Sequence, residues 1–167
     1  MKIGPNGDTT HDGRASNDHF WVFGTDVRAV AAGEVTEVVD AYPDNEPDKP
    51  PPPTIASLAG NHVIIRIAPG QYALFAHLRQ HSILVHVNDT VKRGEVIAKV
   101  GDSGNTTGPH LHFQLMDRNS ALASEGIPYV FDHFSFLGFG ADFEESHHPT
   151  EPRRNDLPVD SEVIGVK

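Results

Sequence analysis

Two histidines lie one residue apart in His110-Leu111-His112-Phe113-Gln114-Leu115, a run in which apolar and polar residues alternate. In a strand, successive side chains point to opposite faces. Leu111, Phe113 and Leu115 would then anchor one face in a core, while His110, His112 and Gln114 project from the other. Two imidazoles fixed side by side on a rigid strand suit zinc, which takes neutral imidazole as a ligand. The same spacing also arises wherever the polar face of a strand is simply solvated. A third histidine, His77, closes the apolar run Tyr72-Ala73-Leu74-Phe75-Ala76-His77-Leu78. An imidazole buried there needs a partner, and a packing histidine with a hydrogen bond meets that need as well as a ligand does. The chain holds eleven histidines and no cysteine, so disulfides, thiolate metal sites and cysteine nucleophiles are excluded. Any metal must be held by histidine and carboxylate.

The elements that would position these rings are short strands rich in Val and Ile, punctuated by 15 glycines and 13 prolines. Strands are predicted over 34–39, 61–67, 71–78, 83–87, 95–100 and 110–115. In the second, Val63, Ile65 and Ile67 share one face, and the Ala68-Pro69-Gly70 turn joins it to the third as a hairpin. No stretch of ten or more residues carries a 3.6-residue apolar period, so little helix is expected beyond one turn near 120–124. The fold class is mostly β. The loop Gly101-Asp102-Ser103-Gly104-Asn105-Thr106-Thr107-Gly108-Pro109 leads into the histidine strand, and its small residues leave room for a peptide backbone. The proline-rich stretch over 42–57 reads as an extended, solvated surface loop.

Length and charge narrow the function. The 167 residues suit one domain with a tail, and 38% apolar composition supports a core. With 13 basic and 23 acidic side chains, the net charge is −10. That disfavours a binder of nucleic-acid phosphates or of anionic membranes. No apolar run reaches the roughly 18 residues of a membrane span, and Met1-Lys2-Ile3-Gly4-Pro5 does not open an apolar signal core. Three regions follow: a polar lead-in over 1–23, a β domain over 24–140, and an acidic tail over 141–167 containing His147 and His148, read as surface histidines.

The ordered succession of three segments resembles the lysostaphin-type zinc metallopeptidases. These are Tyr72-Ala73-Leu74-Phe75-Ala76-His77-Leu78, then Val91-Lys92-Arg93-Gly94-Glu95-Val96-Ile97-Ala98-Lys99-Val100-Gly101, then Ser103-Gly104-Asn105-Thr106-Thr107-Gly108-Pro109-His110-Leu111-His112-Phe113. Gly24-Thr25-Asp26-Val27-Arg28-Ala29-Val30-Ala31-Ala32-Gly33-Glu34-Val35 resembles that family's opening hairpin, so the likeness runs over 24–113. The segment over 120–131 is similar to an extension of some bacterial members. The resemblance implies the duplicated hybrid motif fold, a compact antiparallel β-sheet with a barrel- or sandwich-like core and a shallow groove. It also implies zinc-dependent endopeptidase action on the cross-bridge or stem peptides of bacterial peptidoglycan, outside the cytoplasm. By motif position His112 would be a zinc ligand. His77 and His110 would be acid–base or transition-state-stabilising groups, and Asn105, Thr106 and Gln114 would contact substrate.

Members complete the zinc site with a His and an Asp upstream of the opening hairpin. The candidates here are His11 and Asp18, with His19 as a substitute. Asp18 precedes Gly24 at about the family's distance, which favours a variant site. A second alignment treats 4–17 as an insertion and places the true pair upstream of Met1, as in an N-terminally trimmed chain. On that alignment the domain is catalytically incomplete and acts as a wall-binding or regulatory module. A biotinyl- or lipoyl-carrier reading fits less well, because Lys99 lies within a predicted strand rather than at a tight turn and the histidine strand would have no role.

Overall fold

The computed structural model describes residue 4 and residues 7–139, 150–158 and 162–165. Among the described residues, ten strands form three antiparallel sheets: β1 (Asp26–Arg28), β2 (Gly33–Val39), β3 (His62–Ala68), β4 (Gln71–Ala76), β5 (Thr90–Val91), β6 (Val96–Lys99), β7 (His112–Met116), β8 (Phe131–Phe139), β9 (Glu151–Asp156) and β10 (Glu162–Gly165). The main sheet has the order β5-β2-β3-β4-β7, β1 pairs with β6, and the last sheet runs β10-β8-β9. Helix among the described residues is confined to two 3-10 turns, Asn17–His19 and Ile55–Ser57, and no helix is long and apolar enough to cross a membrane.

The period of two places the core as the sequence predicts. Val63 pairs with Phe75, Ile65 with Ala73, and Phe75 with Phe113. These residues, with Val35, pack against Val27 of β1 and Ile97 and Ala98 of β6, giving a sandwich-like core. Full burial of a Val, Ile or Phe side chain contributes about 1.5–3 kcal/mol each, which makes this layer the main stabilising term. The opposite face of the main sheet carries Ile64, Leu74, Ala76 and Met116, and on that same face lie His112 and Gln114 of β7 and His62 of β3.

Several elements depart from the sequence expectation. Residues 83–87 form no strand. Leu84 makes one backbone bond, to the Ile97 carbonyl, and the Asp89 carboxylate accepts from the His86 N–H at 2.7 Å, drawing the chain into a turn. Val85 is buried there while Leu84 and Val87 face solvent. The stretch 120–124 is a turn closed by the Ala123 N–H on Ser120 Oγ, not a helix. Only the start of 42–57 departs from a solvated loop: Asp44 bridges Ser103, whereas 50–56 remain exposed.

Beyond 130, the described residues of the expected tail supply β9 and β10, which pair on either side of β8. This sheet reaches the body through the aromatic series Phe113, Tyr129, Phe131 and Phe134, whose rings lie 5.2–6.2 Å apart, and through Arg93 donating to Asp132 at 2.6 Å. His147 and His148 lie outside the described residues.

Candidate metal centre

β7 begins at His112, so His110 is not in the alternation that the sequence suggests. Pro109 has no N–H to give a ladder, and the His110 ring turns back on the preceding residues, its Nδ1–H shared between the Gly108 carbonyl at 3.0 Å and Thr106 Oγ1 at 3.2 Å. His77 follows the end of β4 with φ of 59°, a left-handed conformation that redirects its side chain off the strand. Its Nδ1–H donates to the Ser103 carbonyl at 2.8 Å. Because carbonyl oxygens only accept, both rings carry a proton on Nδ1, and in a neutral ring so held the free lone pair is that of Nε2.

The rings converge from separate stretches of chain. His77 and His110 have centroids 4.8 Å apart, and His77 and His112 lie edge-to-face at 5.8 Å. One ligand nitrogen from each of His77, His110 and His112 lies within 4.8 Å of the others, the one such group of three among the described residues. Burial is graded: His77 is buried, His110 half-buried and His112 exposed, so the group opens to solvent through His112. Burial, with smaller contributions from the neighbouring imidazoles, pushes His77 down to about 4, which keeps it neutral at pH 7. Neutral imidazoles with free Nε2 atoms are the donor chemistry that zinc takes, and carbonyls holding Nδ1 are the usual outer partners of such ligands.

The upstream candidates do not join this group. His11 Nε2–H donates to the backbone carbonyl of Asp18 at 3.0 Å, and the His11 ring sits 5.7 Å from His19 and 5.0 Å from Trp21. None of His11, Asp18 and His19 belongs to the converging group. His19 Nδ1 and Asn17 Oδ1 are buried and make no hydrogen bond among the described residues. The lead-in is nonetheless tied close to the histidine loop: Arg14 binds the Asp48 carboxylate at 2.8 and 3.0 Å, and the Asp48 N–H donates to the Thr107 carbonyl at 2.9 Å.

Of the expected substrate contacts, Asn105 is exposed and Gln114 half-buried, while Thr106 is buried. The Thr106 hydroxyl donates to the Gly108 carbonyl at 2.8 Å and accepts from the Gly108 N–H, which places it as an anchor of the His110 turn. Two recesses of about 460 Å³ lie away from the cluster, one bounded by Arg66, Pro69 and Tyr72, the other by Arg28, Phe113, Tyr129 and His133.

Two features escape the sequence reading. His62, buried beside the cluster, has Nδ1 at 2.7 Å from the Gly60 carbonyl and Nε2 at 3.1 Å from Glu37 Oε1. Its place opposite Val63 in the alternation was the available signal. Asp102 is fully buried, and among the described residues neither carboxylate oxygen has a hydrogen-bond partner. That burial, reinforced by Asp44 and Asp48 and partly offset by Thr106 and Arg14, pushes its carboxyl up to about 7.

The two shifts act on stability with opposite signs. His77 is depressed, so its contribution is complete above about 6.5 and is lost as pH falls toward 4. Asp102 is raised, so its contribution is complete below 3.8 and is lost as pH rises through 7. Asp102→Asn is therefore expected to exceed the parent chain in stability by about 1–2 kcal/mol at pH 8, with the difference gone near pH 4. Urea denaturation at the two pH values measures it, and equal midpoints at pH 8 would contradict the assignment.

Residues 15–124 match peptidase family M23. The chain is 47% identical over 55 residues to the DD-carboxypeptidase/endopeptidase Mpg of Neisseria gonorrhoeae, covering 33% of this chain and 12% of the relative. It is 43% identical over 61 residues to the peptidoglycan DD-endopeptidase ShyB of Vibrio cholerae, covering 36% of this chain and 14% of the relative. It is 29% identical over 116 residues to lysostaphin of Staphylococcus staphylolyticus, covering 68% of this chain and 21% of the relative. The chain thus spans about an eighth to a fifth of the length of these relatives. Among solved structures, the catalytic domain of the prophage-encoded M23 protein EnpA of Enterococcus faecalis aligns with a TM-score of 0.47 at 27% identity, covering 63% of this chain and 67% of that one.

Proposed function

The chain belongs to peptidase family M23, and on that premise we propose that it is a zinc metalloendopeptidase hydrolysing peptide bonds of bacterial peptidoglycan outside the cytoplasm. The observation that carries this reading is the convergence of His77, His110 and His112, with two rings held by backbone carbonyls so that Nε2 is free. The similarity to the peptidoglycan DD-endopeptidase of Vibrio supports the substrate class, and that to the DD-carboxypeptidase/endopeptidase of Neisseria supports peptidase action.

His112, the exposed member, is the ligand of the zinc in this proposal. Asp18 and His11 from the lead-in complete the site, with His19 as a substitute, and the anchoring of the lead-in beside Thr107 supports their contribution. When bound, zinc supplies Lewis-acid polarisation of a peptide carbonyl and acidifies water from a pKa of about 15.7 toward 7. The remaining steps belong to the chain. His110 Nε2 takes a proton from the attacking water as the new C–O bond forms, and returns it to the amine nitrogen as the C–N bond breaks. His77, neutral with its Nδ1–H engaged, accepts at Nε2 and orients that water. Neither ring donates from Nε2 to an oxyanion until it carries a second proton.

A second reading has a specific observation behind it: His11 is engaged with the Asp18 carbonyl and neither residue joins the converging group. On that reading the domain binds wall peptides or regulates another wall enzyme without cleaving. Incubating the full chain with purified peptidoglycan decides between them. New amino groups released in a chelator-sensitive manner are expected; binding to the wall with no release would support the second reading.

A further inference from the structure

The start of the proline-rich stretch, read from sequence as a solvated loop, is built into the loop that holds both catalytic imidazoles. Asn45 is its centre. Its N–H donates to the Asp102 carbonyl at 2.9 Å, and its side-chain amide donates to the Gly104 carbonyl at 2.8 Å and more weakly to the Thr106 carbonyl at 3.4 Å. Its own carbonyl accepts from Asn17 Nδ2 at 2.7 Å. Next to it, Asp44 Oδ1 accepts from the Asp102 N–H at 2.7 Å.

These bonds fall on both sides of Ser103, whose carbonyl holds His77, and on Thr106, whose hydroxyl holds His110. Asn17 opens the 3-10 turn that contains Asp18. One asparagine therefore links three things that lie far apart in sequence: the lead-in turn, the carbonyl that orients His77, and the threonine that orients His110. Thr106 and Gly104 lie in the loop outside the strands; the Gly104 carbonyl accepts the Thr106 N–H at 3.1 Å within the loop, and the Asn45 amide adds to both carbonyls a tie to a segment distant in sequence.

We infer that Asn45 is a positioning residue of the active site: through the carbonyls of Asp102, Gly104 and Thr106 it sets the placement of the His77 and His110 rings relative to the lead-in turn. This rests on the proposed peptidase reading for its effect on rate, but the placement itself is readable without activity. A misplacement of about 1 Å in a catalytic group costs on the order of 100-fold in rate.

The test compares the full chain with its Asn45→Ala and Asn45→Asp variants. Aspartate keeps the shape of the side chain and the backbone bonds but has no N–H to donate. Amide hydrogen exchange on metal-free protein is expected to speed up at least tenfold at residues 103–108 in both variants, while amides of β3 and β4 keep the parent rates. Hydrolysis is expected to lose 10- to 100-fold in kcat with KM within twofold, and Asn45→Gln, which retains the amide, is expected to recover part of it. Unchanged exchange at 103–108 would overturn the inference, as would a uniform rise across β3 and β4, which marks general destabilisation. If the parent chain hydrolyses nothing, the peptidase reading falls while the exchange result still decides the role of Asn45.

Discussion

His112→Ala is expected to reduce peptidoglycan hydrolysis by more than about 1000-fold while leaving the fold intact. The loss should exceed the 100- to 1000-fold typical of removing a single charge-stabilising donor, because the residue proposed to hold the metal is gone and with it the source of both carbonyl polarisation and acidified water. Folding should survive because His112 is the exposed member of the group, so truncation removes little buried surface. Circular dichroism and urea midpoints within about 0.5 kcal/mol of the parent check the second half. Retained hydrolysis would defeat the assignment of His112.

His110→Ala is expected to fall in kcat by 100- to 1000-fold with bound zinc retained. The separation between metal content and rate is what distinguishes an acid–base group from a ligand. His110 is half-buried and its Nδ1 is held twice, by Gly108 and Thr106, so its removal frees the Thr106 hydroxyl from one contact while the Gly108 bonds persist. If His110→Ala loses the metal as completely as His112→Ala, His110 is itself a ligand and the proton shuttle must be sought elsewhere.

Most of the main sheet was legible because two simple rules agree, whereas β1, β5 and β8 to β10 were not among the expected strands. The alternation in residues 61–67 put Val63, Ile65 and Ile67 on the face that meets the main core, although Ile64 on the other face is buried as well, and Ala68-Pro69-Gly70 marked the turn into the strand expected over 71–78, which ends at Ala76. Within the site, the identity of the converging histidines was readable, but their geometry was not. Period-two reasoning carried His110 into the strand, whereas Pro109 and the ring's own bonds to Gly108 turn it out before β7 begins. Residues 83–87 have strand composition, yet the Asp89 carboxylate on the His86 N–H outcompetes a ladder. The bracing by Asp44 and Asn45 could not be read at all, since their partners lie about sixty positions away and nothing in a polar, proline-rich stretch announces which carbonyls it will meet. Asp102 was hidden in the same way: an aspartate in a glycine-rich loop reads as a turn residue, and the Asp44 and Asn45 that bond its backbone are distant in sequence.

The central claim is that imidazoles from two separate stretches of chain, His77 on one side and His110 and His112 on the other, form the heart of a zinc site. Its most direct test is elemental analysis of the zinc-reconstituted full chain after exhaustive dialysis, alongside His112→Ala. About one zinc per parent chain and close to none in the variant is the expected result. A parent chain that retains no zinc, or a variant that retains as much as the parent, would contradict it.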